Sequence, residues 1–195
     1  EELFALGVEG ITLGNPAFKK RKISPSLDKT RPIIRPANLP PKGVPGRGQM
    51  VIKKGDIELV VINLCGRVFL DGYTDPFAWM DGFCETNTNP HVFVDFHAEA
   101  TSEKVAFGYH CDGRVSAVVG THTHVTTADE PILEGGTAYI TDVGMTGPRN
   151  SVIGMEKRII LQRFLTQMPS RFEVANELGV ISGVLISVER VTGRA

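Results

Sequence analysis

Two histidines, His122 and His124, are the residues of this chain best suited to chemistry. They lie two positions apart in the segment 120–124, which directly follows the apolar run at 115–119. In an extended chain, side chains two residues apart point to the same side, with Cα atoms about 6–7 Å apart. Neutral imidazole is the commonest metal ligand in proteins. The pair therefore predicts a metal site at the exit of a buried strand. The alternative is that each histidine is a hydrogen-bonded structural residue.

A second apolar run adds candidates to this site. Residues 92–96 read Val-Phe-Val-Asp-Phe and are followed directly by His97. The carboxyl ends of parallel strands line the clefts of open α/β sheets, so we expect His97 to lie near the histidine pair. Asp95 can share a strand face with His97, and we expect it to orient a ligand histidine rather than to bind metal itself.

Two further groups of residues have a structural interpretation beside a functional one. Glu99 and Glu103 are interpreted as carboxylates at the start of a helix, where the helix dipole favours negative charge. The glycine-rich segment 142–148 follows a strand. Its backbone N–H groups could surround an anion, or it could form a tight turn. The residues alone do not separate these two interpretations.

The elements that must position these side chains alternate along the chain. Hydrophobic periodicity predicts strands at 57–64, 92–96, 115–119, 137–141 and 183–189. It predicts helices at 75–83 and 101–110, the second with Thr101 or Ser102 as N-cap, and a third near 161–168 that Pro169 ends. Apolar strands flanked by helices favour an α/β layered domain, with some antiparallel pairing near the C-terminus.

Composition narrows the class of protein. The 195 residues are 42% hydrophobic with a formal net charge of −1, which fits one globular domain over 1–195. This charge gives no electrostatic basis for bulk binding to nucleic acid or to acidic membranes. The three cysteines follow no CxxC spacing and are expected to be reduced thiols. No apolar stretch approaches the ~18 residues of a membrane span, so we expect a cytoplasmic protein.

Seven stretches of the chain resemble, in order, the YmdB branch of the calcineurin-like metallophosphoesterases. They are residues 14–15, 35–38, 63–67, 95–104, 120–125, 141–148 and 151–155. The resemblance implies an α/β sandwich of two mixed β-sheets flanked by helices. It also implies hydrolysis of phosphodiesters such as 2′,3′-cyclic nucleotides, by hydroxide that two divalent cations activate. Nitrogen and oxygen ligands suit Mn, Fe or Zn. The implied partner is a small phosphodiester, and the oligomeric state stays open.

The same resemblance implies the role of individual residues. Asn15, His97 and His122 would hold one metal ion, and His124 would serve the other. Contacts behind the ligands, or to the substrate, would come from Asp95, Thr123, Gly144 and Thr146.

Two departures from the family pattern bear on activity. Where the family has Gly-Asn-His, this chain has Pro16, which carries neither an imidazole nor an N–H, so no catalytic residue is assigned. The family's first strand, with a ligand aspartate, and its Gly-Glu-Asn segment would precede residue 1. We therefore expect an N-terminally incomplete domain with at most one weak metal site and negligible turnover. The alternative hypothesis is a non-catalytic protein of the same fold that binds a metal or a nucleotide.

Overall fold

A five-stranded mixed sheet is the centre of the computed structural model, which describes residues 2–27, 31–40 and 43–195. The elements before this sheet are α1 (Glu2–Ala5), β1 (Ile11–Thr12), a 3₁₀ turn (Arg21–Ile23), α2 (Ser24–Leu27) and β2 (Ile33–Ile34). The sheet and its helices comprise β3 (Gln49–Lys54), β4 (Ile57–Cys65), α3 (Pro76–Thr86), β5 (Val92–His97), α4 (Thr101–Cys111), β6 (Ala117–Thr121) and β7 (Ala138–Ile140). The chain continues with β8 (Gly147–Pro148), α5 (Lys157–Thr166) and β9 (Gly179–Val180).

Strand order and register bring the candidate residues together. The order is β3-β4-β5-β6-β7, with β3 antiparallel to β4 and the other neighbours parallel. His97, the last residue of β5, lies between Cys65 of β4 and Thr121 of β6 in the register. The carboxyl ends of three strands therefore form one edge of the sheet, as the sequence predicts for His97 and the residues after β6.

The two faces of β5 explain where its side chains point. Val92, Val94 and Phe96 are buried in the main core with residues of α3 and α4, and Phe96 stacks on Phe107 with ring centroids 4.0 Å apart. Because side chains alternate along a strand, Asp95 and His97 point to the opposite face. The segment that contains β1 lies on that face, which carries a small second core around Ile34.

The mixed sheet flanked by helices confirms the predicted α/β class. Beside this sheet, the described residues form two-stranded sheets, β1 with β2 in parallel and β8 with β9 antiparallel, in place of a large second sheet. Asp75 caps α3, because its carboxylate accepts the N–H groups of Phe77 and Ala78. No helix in the described part of the chain is both long and apolar enough to cross a membrane.

Two expectations about individual elements are wrong. The N-cap of α4 is Ala100, without a side-chain cap, because Thr101 is already inside the helix. The strand predicted at 183–189 does not form in the described structure. Its apolar pattern fits a strand, but Leu185 is 97% exposed, and the segment has no strand partner. The antiparallel pair near the C-terminus is β8 with β9 instead.

Candidate metal centre

Three potential ligand atoms converge at the carboxyl edge of the sheet. The Nε2 atom of His97 lies 3.0 Å from the Oδ1 atom of Asn15 and 2.9 Å from the Nδ1 atom of His122. Asn15 is 82 residues away from His97 in the sequence. The structure thus brings together the three residues predicted to hold one metal ion; their role as ligands stays a prediction.

The backbone on both sides of His97 is shaped to this arrangement. A Cβ atom at Gly14 would lie 2.3–2.5 Å from ring atoms of His97, so only glycine lets the imidazole pack against this turn. His122 and His124 follow β6 with φ angles of 110° and 67°, and the expectation that they lie in an extended segment is therefore wrong. Such conformations cost of order 1–3 kcal/mol each and cluster at functional sites.

A relay of hydrogen bonds fixes the proton of His97. The hydroxyl of Thr121 donates to Oδ1 of Asp95 at 2.7 Å, so its oxygen accepts the Nδ1–H of His97 at 2.9 Å. The Nε2 atom of His97 therefore carries a lone pair toward Asn15 and His122. Asp95, expected to orient a ligand histidine, is joined to His97 by two successive hydrogen bonds through the hydroxyl of Thr121.

The ring of His122 has a carboxylate on its other side. Oε2 of Glu99 lies 2.8 Å from Nε2 of His122. Glu103, in the first turn of α4 as predicted, instead accepts the backbone N–H groups of Arg67 and Val68. Glu99 thus contacts a candidate ligand, a role that its position before a helix did not indicate.

Burial sets the protonation of the two strand residues. Burial, together with the smaller effect of the neighbouring His122, lowers the pKa of His97 to about 3, so the imidazole is neutral near pH 7. Burial raises the pKa of Asp95 to about 6, against the hydrogen bonds from Thr12 and Thr121, which favour the carboxylate. A neutral imidazole with an unprotonated nitrogen is the form that binds a metal.

The converging atoms fit a cation. They are two imidazole nitrogens and an amide oxygen, which are common ligands of first-row metals. Two ligands about 2.1 Å from an ion and at right angles would be about 3 Å apart, which matches the separations found here. Across residues 2–27, 31–40 and 43–195, no group of three or more His, Cys, Asp or Glu side chains forms a metal site. The centre therefore depends on the asparagine.

A cavity of about 540 Å³ opens in front of these atoms. Its walls include Asn15, Pro16, Phe18, Lys19, His97, His122 and His124. His124 is exposed there, with Nδ1 3.3 Å from the carbonyl oxygen of Ile153. Pro16 stands at the cavity wall without an ionisable group, whereas Lys19 brings a positive charge to it.

Thr123 and Gly144, which were expected to lie behind the ligands or to contact the substrate, both contact a buried ion pair. Lys104 Nζ lies 2.6 Å from Asp142 Oδ2, and both side chains are 1% exposed. Burial raises the pKa of Asp142, but hydrogen bonds from Lys104 and from the backbone N–H groups of Thr123 and Gly144 outweigh it and lower that pKa. Within the segment 142–148, the N–H of Gly144 donates to Asp142 and the N–H of Val143 donates to the carbonyl oxygen of Gly120, so these two groups already have partners within the protein. Thr146 is exposed in the loop that follows.

Sequence reasoning missed the connecting residues of this site. Thr121 and Lys104 were not singled out, although Thr121 lies opposite His97 in the parallel register. A polar residue at the carboxyl end of a strand, beside a candidate ligand, is the signal that could have identified Thr121. Lys104 lies inside a helix and offered no such signal.

Comparison with known proteins places the whole chain in one group. A family model described as YmdB-like protein matches residues 1–195. The 2′,3′-cyclic-nucleotide 2′-phosphodiesterase of Bacillus subtilis (strain 168) is 49% identical over 195 residues, which cover 99% of this chain and 74% of the relative.

Two crystal structures share the fold. One is of a hypothetical protein from Thermus thermophilus, with a TM-score of 0.86 and 44% identity over 91% of this chain and 69% of the other. A phosphatase from Mycoplasma pneumoniae gives a TM-score of 0.82 and 37% identity over 89% of this chain and 64% of the other.

Proposed function

This chain belongs to the YmdB-like family, and from that membership we propose that it is a metal-dependent phosphodiesterase. The proposed substrates are small phosphodiesters, 2′,3′-cyclic nucleotides among them. The observation that carries the proposal is the convergence of Asn15, His97 and His122 within hydrogen-bond distance at the carboxyl edge of the sheet. The name of the Bacillus subtilis relative, which aligns with 99% of the chain, supports the choice of substrate.

Membership of a metallophosphoesterase family implies use of divalent metal ions. We propose that Asn15 Oδ1, His97 Nε2 and His122 Nδ1 hold one ion, for which Mn, Fe or Zn is suited. When bound, such an ion lowers the pKa of water and stabilises negative charge on a phosphoryl oxygen. His124 would serve a second ion. The described residues give it no carboxylate partner, so we expect at most one weak site in this chain.

The side chains around the cavity would divide the remaining tasks. Asp95 and Thr121 hold the His97 ring in one orientation and one tautomer, so that Nε2 faces the cavity. The ammonium group of Lys19, at the cavity wall, would attract the anionic phosphodiester. Pro16 cannot donate a proton to a leaving group, and a missing general acid costs about 10²–10⁴-fold in rate. We therefore expect slow turnover relative to relatives with histidine at this position.

The test is metal-dependent hydrolysis by the purified protein. The protein is stripped of metal, and 2′,3′-cyclic AMP or bis-p-nitrophenyl phosphate is then added with and without Mn²⁺. We expect turnover only with metal, and a loss of about 100-fold or more in His122→Ala. The matched control is His110→Ala, because His110 of α4 pairs with Asp81 of α3 and neither residue lines the cavity. Equal turnover without metal, or in His122→Ala, would contradict the proposal.

A further inference from the structure

We propose that Glu99 is a positioning residue that keeps the metal-facing nitrogen of His122 free of a proton. This inference rests on the proposed function, because it concerns how the chain prepares a ligand. Glu99 lies in the short loop between β5 and α4, two residues after His97. Its Oε2 atom is 2.8 Å from Nε2 of His122. The loop that follows one candidate ligand therefore supplies the hydrogen-bond partner of another.

The proton of a neutral imidazole can lie on either nitrogen, and the two neighbours of His122 favour opposite choices. His97 already donates its Nδ1–H to Thr121, so its Nε2 atom is an acceptor. That acceptor is 2.9 Å from Nδ1 of His122 and favours a proton there. Such a proton would occupy the position of the metal. His97 alone would therefore select the tautomer of His122 that cannot bind.

Glu99 opposes this effect. An ionised carboxylate has only acceptors, so it favours the proton on Nε2 of His122. A hydrogen bond to a charged partner is roughly twice as strong as one between neutral groups. The Glu99 contact should therefore prevail over the neutral His97 contact, which leaves Nδ1 of His122 with its lone pair directed to the candidate metal position.

The two histidines then have equivalent support. A carboxylate orients His97 through the hydroxyl of Thr121, and a carboxylate orients His122 directly. Metal-bound histidines commonly donate their second N–H to a carboxylate, and loss of that partner typically costs 10–100-fold in metal affinity or activity, by rough order of magnitude. Glu99 side-chain exposure is 47% against 20% for His122, so the carboxylate reaches inward from solvent to a more enclosed ring.

Nitrogen-15 NMR of the metal-free protein tests the tautomer directly. Spectra are recorded above about pH 8, where an ordinary imidazole is neutral. We expect a proton on Nε2 of His122 in the unsubstituted protein and a shift of that proton to Nδ1 in Glu99→Ala. Glu99→Gln keeps an acceptor oxygen and should give an intermediate population. The matched control Glu134→Ala removes an exposed carboxylate from the loop before β7, at the opposite end of the strands, and should change nothing.

Zn²⁺ titration of the same four proteins supplies the second readout. The dissociation constant should rise by about 10–100-fold in Glu99→Ala, less in Glu99→Gln and not in Glu134→Ala. A proton on Nδ1 of His122 in the unsubstituted protein, or a dissociation constant within twofold in Glu99→Ala, would overturn the proposal. Failure of the proposed function has a different result, namely the expected tautomer in a protein that hydrolyses no phosphodiester.

Discussion

The Nε2 atom of His97 and the Nδ1 atom of His122 lie 2.9 Å apart, and the other nitrogen of each ring has its own hydrogen-bond partner. When both rings are neutral, with the protons on Nδ1 of His97 and Nε2 of His122, the two nitrogens that face each other are both acceptors. Two lone pairs at this distance repel one another unless a cation lies between them. The ring planes cross at 81°, and Oδ1 of Asn15, 3.0 Å from Nε2 of His97, adds a third acceptor to this pair.

The first prediction concerns metal binding by the 195-residue chain. Titration of the metal-free protein with Zn²⁺ should show at most one weak site, because three candidate ligands converge and His124 lacks a carboxylate partner among the described residues. A ligand at 100 times its dissociation constant stabilises the folded state by about 2.7 kcal/mol. Calorimetry measures the binding of Zn²⁺, and thermal unfolding measures the stabilisation that the bound ion gives. His122→Ala should abolish the binding and the stabilisation. Two tight sites would mean that other carboxylates, such as Asp95 or Asp142, act as ligands.

The hydroxyl of Thr121 is the subject of the second prediction. Thr121→Val keeps the shape of the side chain but removes the group that joins Asp95 to His97. We expect about a 10-fold loss in Zn²⁺ affinity. The free energy of unfolding should fall by about 1–3 kcal/mol, because Asp95 loses a buried donor. Thr121→Ser restores the hydroxyl and should recover most of the affinity. Equal affinities in the Val and Ser variants would show that the relay does not act on the site.

The third prediction concerns the ion pair of Lys104 and Asp142. Lys104→Met leaves a buried carboxylate without its cation and should lower the free energy of unfolding by about 3–5 kcal/mol. In urea unfolding, the matched control Lys53→Met should change it by less than about 1 kcal/mol, because the Lys53–Glu58 pair is exposed. A small effect of Lys104→Met would contradict the structural role assigned to this pair.

The same pair predicts a pH dependence. The folded-state pKa of Asp142 is lowered, so the folded state keeps the carboxylate charged where the unfolded chain, with a pKa of about 3.9, binds a proton. Its contribution to stability is fully present above about pH 4 and is lost as the pH falls through the folded pKa. Lys104→Met should therefore flatten the acid limb of the stability curve. An unchanged acid limb would exclude this pair as its cause.

The fourth prediction concerns Pro16. Pro16→His adds an imidazole at the cavity wall and should raise kcat for 2′,3′-cyclic AMP by about 10²–10⁴-fold if it acts as the general acid. Pro16→Ala controls for removal of the proline ring and should give no such gain. Equal rates for the His and Ala variants would show that the leaving group needs no acid here.

Local sequence patterns predicted the strands that position the site, and the elements that were predicted wrongly or missed have physical explanations. Residues 92–96 and 115–119 are apolar runs, and β5 and β6 lie close to them. By contrast, β3 was not predicted, because it is an edge strand with only Met50 buried. The segment 183–189 has the pattern of a strand but finds no partner strand. Pairing depends on distant residues, which local periodicity does not report.

The site shows the same limit at the scale of single side chains. The meeting of His97 and His122 follows from parallel strands that end at one edge. The left-handed conformation of His122 does not, because the next residue is tied to Asp142, 19 residues farther along the chain. Nor could the sequence show whether Glu99 turns to the helix that follows it or across to the loop after β6. That choice is made by tertiary packing.

The most direct test of the metal centre is anomalous X-ray scattering from crystals of the protein soaked in Zn²⁺. We predict one anomalous peak about 2.0–2.2 Å from Asn15 Oδ1, His97 Nε2 and His122 Nδ1, and its loss in crystals of His122→Ala. A Zn²⁺ peak elsewhere with none near these three atoms, or the same peak in crystals of His122→Ala, would contradict the proposed metal centre.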